Sequence, residues 1–106
     1  MNLRPEIIRP EGAAQGDLFP LVFRSESVVL SVVAQDPERQ PLSFIWFVAG
    51  GVVADANTYS QAEDVWVSAL TVNIDQVNNG DEVRCTILDD NPRQNAVDVA
   101  WLVEIP

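Results

Sequence analysis

The chain contains sixteen aspartates and glutamates, six arginines, one cysteine, and neither histidine nor lysine. Any chemistry must come from carboxylates, hydroxyls or one thiol, because the commonest proton shuttle and the Schiff-base amine are missing. Two carboxylates facing each other across a cleft can hydrolyse a glycosidic bond. The pairs on offer, Glu63-Asp64, Asp81-Glu82 and Asp89-Asp90, sit beside turns, where acids are commonplace. Cys85 would need a neighbouring base or cation to become a nucleophile. The alternation of Val83, Cys85 and Ile87 instead turns it inward as a small hydrophobe. No catalytic residue is assigned, and the chain is read as not an enzyme. Two further segments gather oxygen donors: Asp36 with Glu38, and Asp89 with Asp90 and Asn91. Oxygen donors are what Ca²⁺ selects.

At 106 residues the chain suits one domain with one core. An apolar content of 47% is too high for a disordered chain. The net charge of -10 excludes binding to nucleic acid or an anionic membrane surface, both of which need a basic footprint. It fits an extracellular or periplasmic setting, a cation-binding surface, or plain solubility. A lone cysteine forms no intramolecular disulfide, so cysteine usage does not fix the compartment. No apolar run reaches membrane-spanning length, so no membrane insertion by this chain is expected. The start, "MNLRPEIIRPEG", lacks an apolar stretch of signal-peptide length. An exported protein would make this chain a piece of a longer precursor; a cytosolic one would need no leader. Both remain open.

The elements that position these residues read as strands. "EIIRP" (6–10) forms a short strand between prolines, within a segment 1–12 that doubles as a connector; the domain proper is 13–106. "LFPLVFR" (18–24) reads as an edge strand, because Pro20 has no N–H for a ladder. "SVVLSVVA" (27–34) turns Val28, Leu30, Val32 and Ala34 to one face. "LSFIWFV" (42–48) follows the turn chemistry of Asp36-Pro37 and Pro41. One short strand lies near Gly51–Ala54. "VWVSALTVNI" (65–74) aligns Trp66, Leu70, Val72 and Ile74, with Val65, Val67 and Ser68 blurring the pattern. "NNGD" (78–81) signals a tight turn. "DEVRCTIL" (81–88) then places Arg84 and Thr86 outward, and "AVDVAWLVEI" (96–105) places Val97, Val99, Trp101, Val103 and Ile105 on one face. About seven to eight short strands predict an all-β sandwich.

Four segments in order carry a family resemblance. "AQDPERQPLSFIWFVAGGVV" resembles the "DPDGDPL" loop and following Trp strand of PKD-like and related immunoglobulin-like repeats of bacterial surface proteins. "SALTVNIDQVNNGDEVRCTILDD" is similar to their later strands, "VAWLVEIP" to their last strand, and "RPEIIRPEG" to their opening. The resemblance implies an immunoglobulin-like (PKD-like) antiparallel β-sandwich. It also implies a noncatalytic module of a bacterial cell-surface or secreted protein, extracellular or periplasmic, acting as a spacer or a protein-docking unit. Its partners would be neighbouring domains or another surface protein; a small-molecule substrate is not expected. The chain departs from the pattern in two places. Arg39 and Gln40 replace the usual Gly and Asp, and Leu30 and Val32 stand where disulfide-bearing relatives have a cysteine facing Cys85.

In such a sandwich Trp46, Cys85 and Trp101 are core residues. The loop after the second strand and the last hairpin loop share one end, which would bring Asp36 and Glu38 near Asp89, Asp90 and Asn91 as a calcium site. Arg39 and Arg93 in the same loops neutralise those acids in the competing reading. With Phe44, Trp46 and Val48 inward, Ile45 and Phe47 point outward. Ala100 and Leu102 share that parity, so the four form an apolar protein-binding stripe unless a loop covers them. A calcium-dependent adhesion module and a carbohydrate-binding sandwich using Trp66 and Tyr59 are the alternatives.

Overall fold

A computed structural model describes residues 5–9, 18–36, 41–53, 56–62, 65–89 and 96–106. Nine strands lie among them: β1 (Glu6–Arg9), β2 (Leu18–Val22), β3 (Ser27–Gln35), β4 (Ser43–Val48), β5 (Gly51–Val53), β6 (Asn57–Ala62), β7 (Val65–Asn73), β8 (Glu82–Leu88) and β9 (Ala96–Glu104). They form two sheets, ordered β1-β3-β7-β6 and β2-β9-β8-β4-β5. Pairing is antiparallel except for β2, which runs parallel to β9 at the edge of the larger sheet. An edge is where Pro20 can be tolerated. β1 and β2 therefore belong to opposite sheets although they lie close in the chain.

The strand faces follow the apolar alternation. Leu30, Val32 and Ala34 of β3, Leu70 and Val72 of β7, Val83, Cys85 and Ile87 of β8, and Val99, Trp101 and Val103 of β9 are all buried in one core. Trp46 is fully buried at its centre, next to Cys85 across the β4–β8 ladder. Its ring stacks on Trp101, with centroids 5.7 Å apart and planes inclined by 13°. The buried indole N–H would be costly without a partner. It donates to Ser68 Oγ at 2.8 Å, and Ser68 Oγ shares a further 2.8 Å hydrogen bond with Thr58 Oγ1. Ser68, which blurs the sequence pattern of β7, is thus an inward residue fully removed from solvent.

Turn chemistry closes the ladders. β4 and β5 are joined by Ala49 and Gly50, both at positive φ, as a two-residue hairpin requires. In the 78–81 turn Gly80 sits at φ 92, Asp81 N donates to the Asn78 carbonyl, and Asn78 N donates to Asp81 Oδ2.

Several details differ from the sequence expectation. Nine strands lie among the described residues instead of seven or eight, and β2 ends at Val22 and pairs parallel. Two further differences concern β7 and β6. β7 stops at Asn73, and Ile74–Gln76 form a short 3-10 turn in which the Asn73 N–H donates to Gln76 Oε1 at 2.8 Å. β6 also goes unrecognised in sequence. "NTYSQA" carries no apolar alternation, because this edge strand is held by its backbone ladder to β7.

Candidate functional site

The outer face of the five-stranded sheet is built by residues that alternate with the core. Outward on β4 lie Ile45 and Phe47, both half-buried. Outward on β8 lie Glu82, Arg84 and Thr86, and on β9 Asp98, Ala100 and Leu102. The register sets them in rows: Phe47–Arg84–Ala100–Leu18, Ile45–Thr86–Asp98, and Glu82–Leu102–Pro20. Val52 of β5, 69% exposed, stands opposite Phe47.

This arrangement corrects the expected apolar stripe. Ile45 and Phe47 share a face with Ala100 and Leu102, but β8 runs between them with polar side chains. Sequence parity gives the face of each residue and says nothing of which strand intervenes. Ala100 is also buried, between Arg84 and Leu18 in the ladder, whereas Leu102 is 37% exposed.

The charges on β8 and β9 are organised. Arg84 Nη2 donates to both carboxylate oxygens of Glu82, at 3.0 and 3.1 Å. The hydrogen bond and charge of Glu82, followed by the charge of Asp98, hold the guanidinium pKa above its ordinary value. Thr86 Oγ1 donates to Asp98 Oδ1 at 2.6 Å. Phe47, Gly50, Glu82, Arg84, Thr86 and Asp98 together line an open groove of about 410 Å³. Sequence reasoning turned Arg84 and Thr86 outward but did not join them to Asp98. Their direct opposition depends on the β8–β9 register.

The other candidate residues fall elsewhere. Asp36 and Asp89 are both buried, and they follow β3 and β8 at the end where Ser43 pairs with Leu88. Glu38, Asp90 and Asn91, with Arg39 and Arg93, lie outside the described residues. Among the described residues no three His, Cys, Asp or Glu side chains come together as a metal site. Cys85 is free and fully buried, and that burial, with the charge of Asp98, pushes its thiol pKa far up, so it remains a neutral thiol. Trp66 and Tyr59 do not form one sugar-stacking platform. Trp66 pairs with Ser60 and packs on the core, while Tyr59, one position away in the ladder, points to the opposite side and is 48% exposed.

The strand order is that of immunoglobulin domains: β1-β3-β7-β6 matches one sheet, and the last strand, β8, β4 and β5 match the other, extended sheet. Trp46 occupies the buried Trp position of the third sandwich strand. Solved structures agree. The chain is similar to the N-terminal Ig1-2 module of the Drosophila receptor protein tyrosine phosphatase DLAR, with a TM-score of 0.57, 17% identity, and coverage of 98% of this chain and 50% of that one.

The fold is immunoglobulin-like.

Titin domain M7 is similar over 100% of this chain and 97% of its own length, at a TM-score of 0.53 and 13% identity. A nucleoside hydrolase-related hypothetical protein from Saccharophagus degradans matches over 99% of this chain and 26% of its own, at 0.56 and 14%. The chain spans about half the length of the tandem-Ig structures it matches, 47% for the Dlar repeats and 50% for titin A164-A165. No family model matches the chain, and no curated protein matches it in sequence. No helix among the described residues is long and apolar enough to cross a membrane.

Proposed function

We propose that this immunoglobulin-like domain is a noncatalytic docking module of a bacterial cell-surface or secreted protein, contacting a neighbouring domain or partner through the outer face of its five-stranded sheet. The observation that carries the reading is the pairing of half-buried Ile45 and Phe47, outside the core cluster, with an organised charged row on the adjacent strand. An apolar–polar mosaic of this kind suits an interface better than a bare solvated sheet face. The PKD-like segments quoted above support the bacterial surface setting and an extracellular or periplasmic location. The half-length match to tandem domains supports a bead in a longer array.

The test is the double substitution Ile45→Thr, Phe47→Thr, which keeps strand-favouring side chains. Loss of association with flanking domains or a surface partner, at a melting temperature within about 8 °C of wild type, supports docking. Unchanged association defeats it. A calcium-dependent adhesive role is the second reading; Asp36 and Asp89 lie buried at one end of the sandwich, each with an interaction partner of its own. Calcium bound to the native state must raise the melting temperature; no rise in millimolar calcium removes that reading.

A further inference from the structure

We infer that Asn79-Gly80 is a covalent modification site, a deamidation site whose reaction with water is gated by the seated end of β9. It is the only Asn-Gly pair in the sequence. The 78–81 turn calls for glycine, because residue 80 sits at φ 92, where a side chain is strained. That requirement sets beside Asn79 a backbone nitrogen with no side chain to crowd it. The same nitrogen is the nucleophile of succinimide formation. Once deprotonated, Gly80 N attacks Asn79 Cγ, the new C–N bond closes a cyclic imide, and Nδ2 takes up a proton and leaves as ammonia. Water then adds across either imide C–N bond. Opening at Cγ leaves aspartate, and opening at the main-chain carbonyl leaves isoaspartate. Water is consumed and ammonia released, with no oxidant or reductant needed.

Water reaches this site. Asn79 and Gly80 are both exposed, and a Cβ on Gly80 would meet nothing within 4 Å. Hydrogen bonds to β9 and the residue after it hold the reaction back. The nucleophile is tied, because Gly80 N–H donates to the Val103 carbonyl at 2.9 Å and the proton that must leave is engaged. The electrophile is tied as well: Asn79 Oδ1 accepts from Ile105 N–H at 3.0 Å, which orients the side-chain amide toward the strand's exit. Val103 N–H donates to the Asp81 carbonyl at 2.8 Å and completes the clasp. Both reacting groups of the dipeptide are thus held by the far end of β9, and cyclisation waits for that end to lift. Solvent-exposed backbone bonds of this kind open locally, without global unfolding. The two products then differ. Aspartate keeps a side-chain oxygen for Ile105 N–H, whereas isoaspartate lengthens the main chain before Gly80 and shifts its N–H off the Val103 carbonyl.

Peptide mapping by mass spectrometry, with isoaspartate detection, tests this on the full chain held in mildly alkaline buffer. Unfolded in urea, the chain should deamidate at Asn79 ahead of its other asparagines. The folded chain should do so at least about tenfold more slowly, as a reaction that needs local opening must. Ile105→Pro removes the N–H that holds Asn79 Oδ1 and should raise the folded-state rate several-fold. Sub-denaturing urea should raise the wild-type rate in step with amide hydrogen exchange at Ile105, a measurement that decides the matter if the proline variant does not fold. Equal rates in folded and unfolded chains, a wild-type rate in folded Ile105→Pro, or deamidation independent of Ile105 exchange would overturn the gate. An unfolded chain that loses its other asparagines before Asn79 would overturn the site itself.

Discussion

The same three strands, β4, β8 and β9, present two different surfaces. Inward they carry Trp46, Cys85 and Trp101, three side chains between 0% and 6% exposed. Outward, one position along, they carry Phe47, Arg84 and Ala100, joined by Thr86 and Asp98. Because the side-chain period of a strand is two, one ladder holds the sandwich together on one side and stays available for contact on the other. The inner surface is committed to geometry: the Trp46 and Trp101 rings stack, and the Trp46 indole N–H is held by the Ser68–Thr58 hydroxyl chain. The outer surface spends its hydrogen bonds on charged groups at the protein–water boundary, where they add little to stability. Substitutions on the two sides should therefore separate stability from binding.

The largest expected effect is on the inner side. Trp46→Ala removes a fully buried ring and its stacking on Trp101, and should lower unfolding free energy by about 3–5 kcal/mol in chemical denaturation. A loss below about 1 kcal/mol would dissolve the contrast between the faces. Ser68→Ala is smaller in volume but strands the Trp46 indole N–H, and should cost about 1–3 kcal/mol. Ser68→Thr restores an acceptor and should recover part of that loss unless its extra methyl is too large for the site.

Cys85 supplies an effect that depends on pH. Its thiol pKa is raised in the folded state by burial first and by Asp98 second. The unfolded thiol ionises near about pH 8.5, so above that pH the folded state holds one proton that the unfolded state has lost. The stabilising contribution is complete below the unfolded pKa and is lost as pH rises toward the folded one, by about 1.4 kcal/mol per pH unit. Denaturation of wild type and Cys85→Ala across the alkaline range should give curves differing by that slope. Parallel curves would mean the thiol meets water.

The smallest effect lies outside. Arg84→Ala breaks an exposed ion pair with Glu82, and should change stability by no more than about 0.5 kcal/mol. A greater loss would make the Arg84–Glu82 row part of the structural frame.

Much of this division was legible in the residues. Alternation in "EVRCTIL" and "AVDVAWLVE" sorts the inner from the outer side chains, and the Pro20 edge follows from one missing N–H. The partner of the Trp46 indole was not legible, because Ser68 reaches it from the opposite sheet. Nor was the polar barrier between Phe47 and Leu102, since lateral strand order is set by topology and not by local pattern. β6 is illegible for a related reason: its six residues pair through the backbone and contribute little apolar signal.

The central claim is that Ile45 and Phe47 belong to a contact surface and not to the core. Thermal unfolding of the isolated Ile45→Thr, Phe47→Thr domain tests it most directly. A contact surface predicts a melting temperature within about 8 °C of wild type, the equivalent of roughly 1 kcal/mol in a domain of this size. Losses of about 3 kcal/mol or more, as for truncating a buried phenylalanine, would lower it by well over 10 °C and contradict the account.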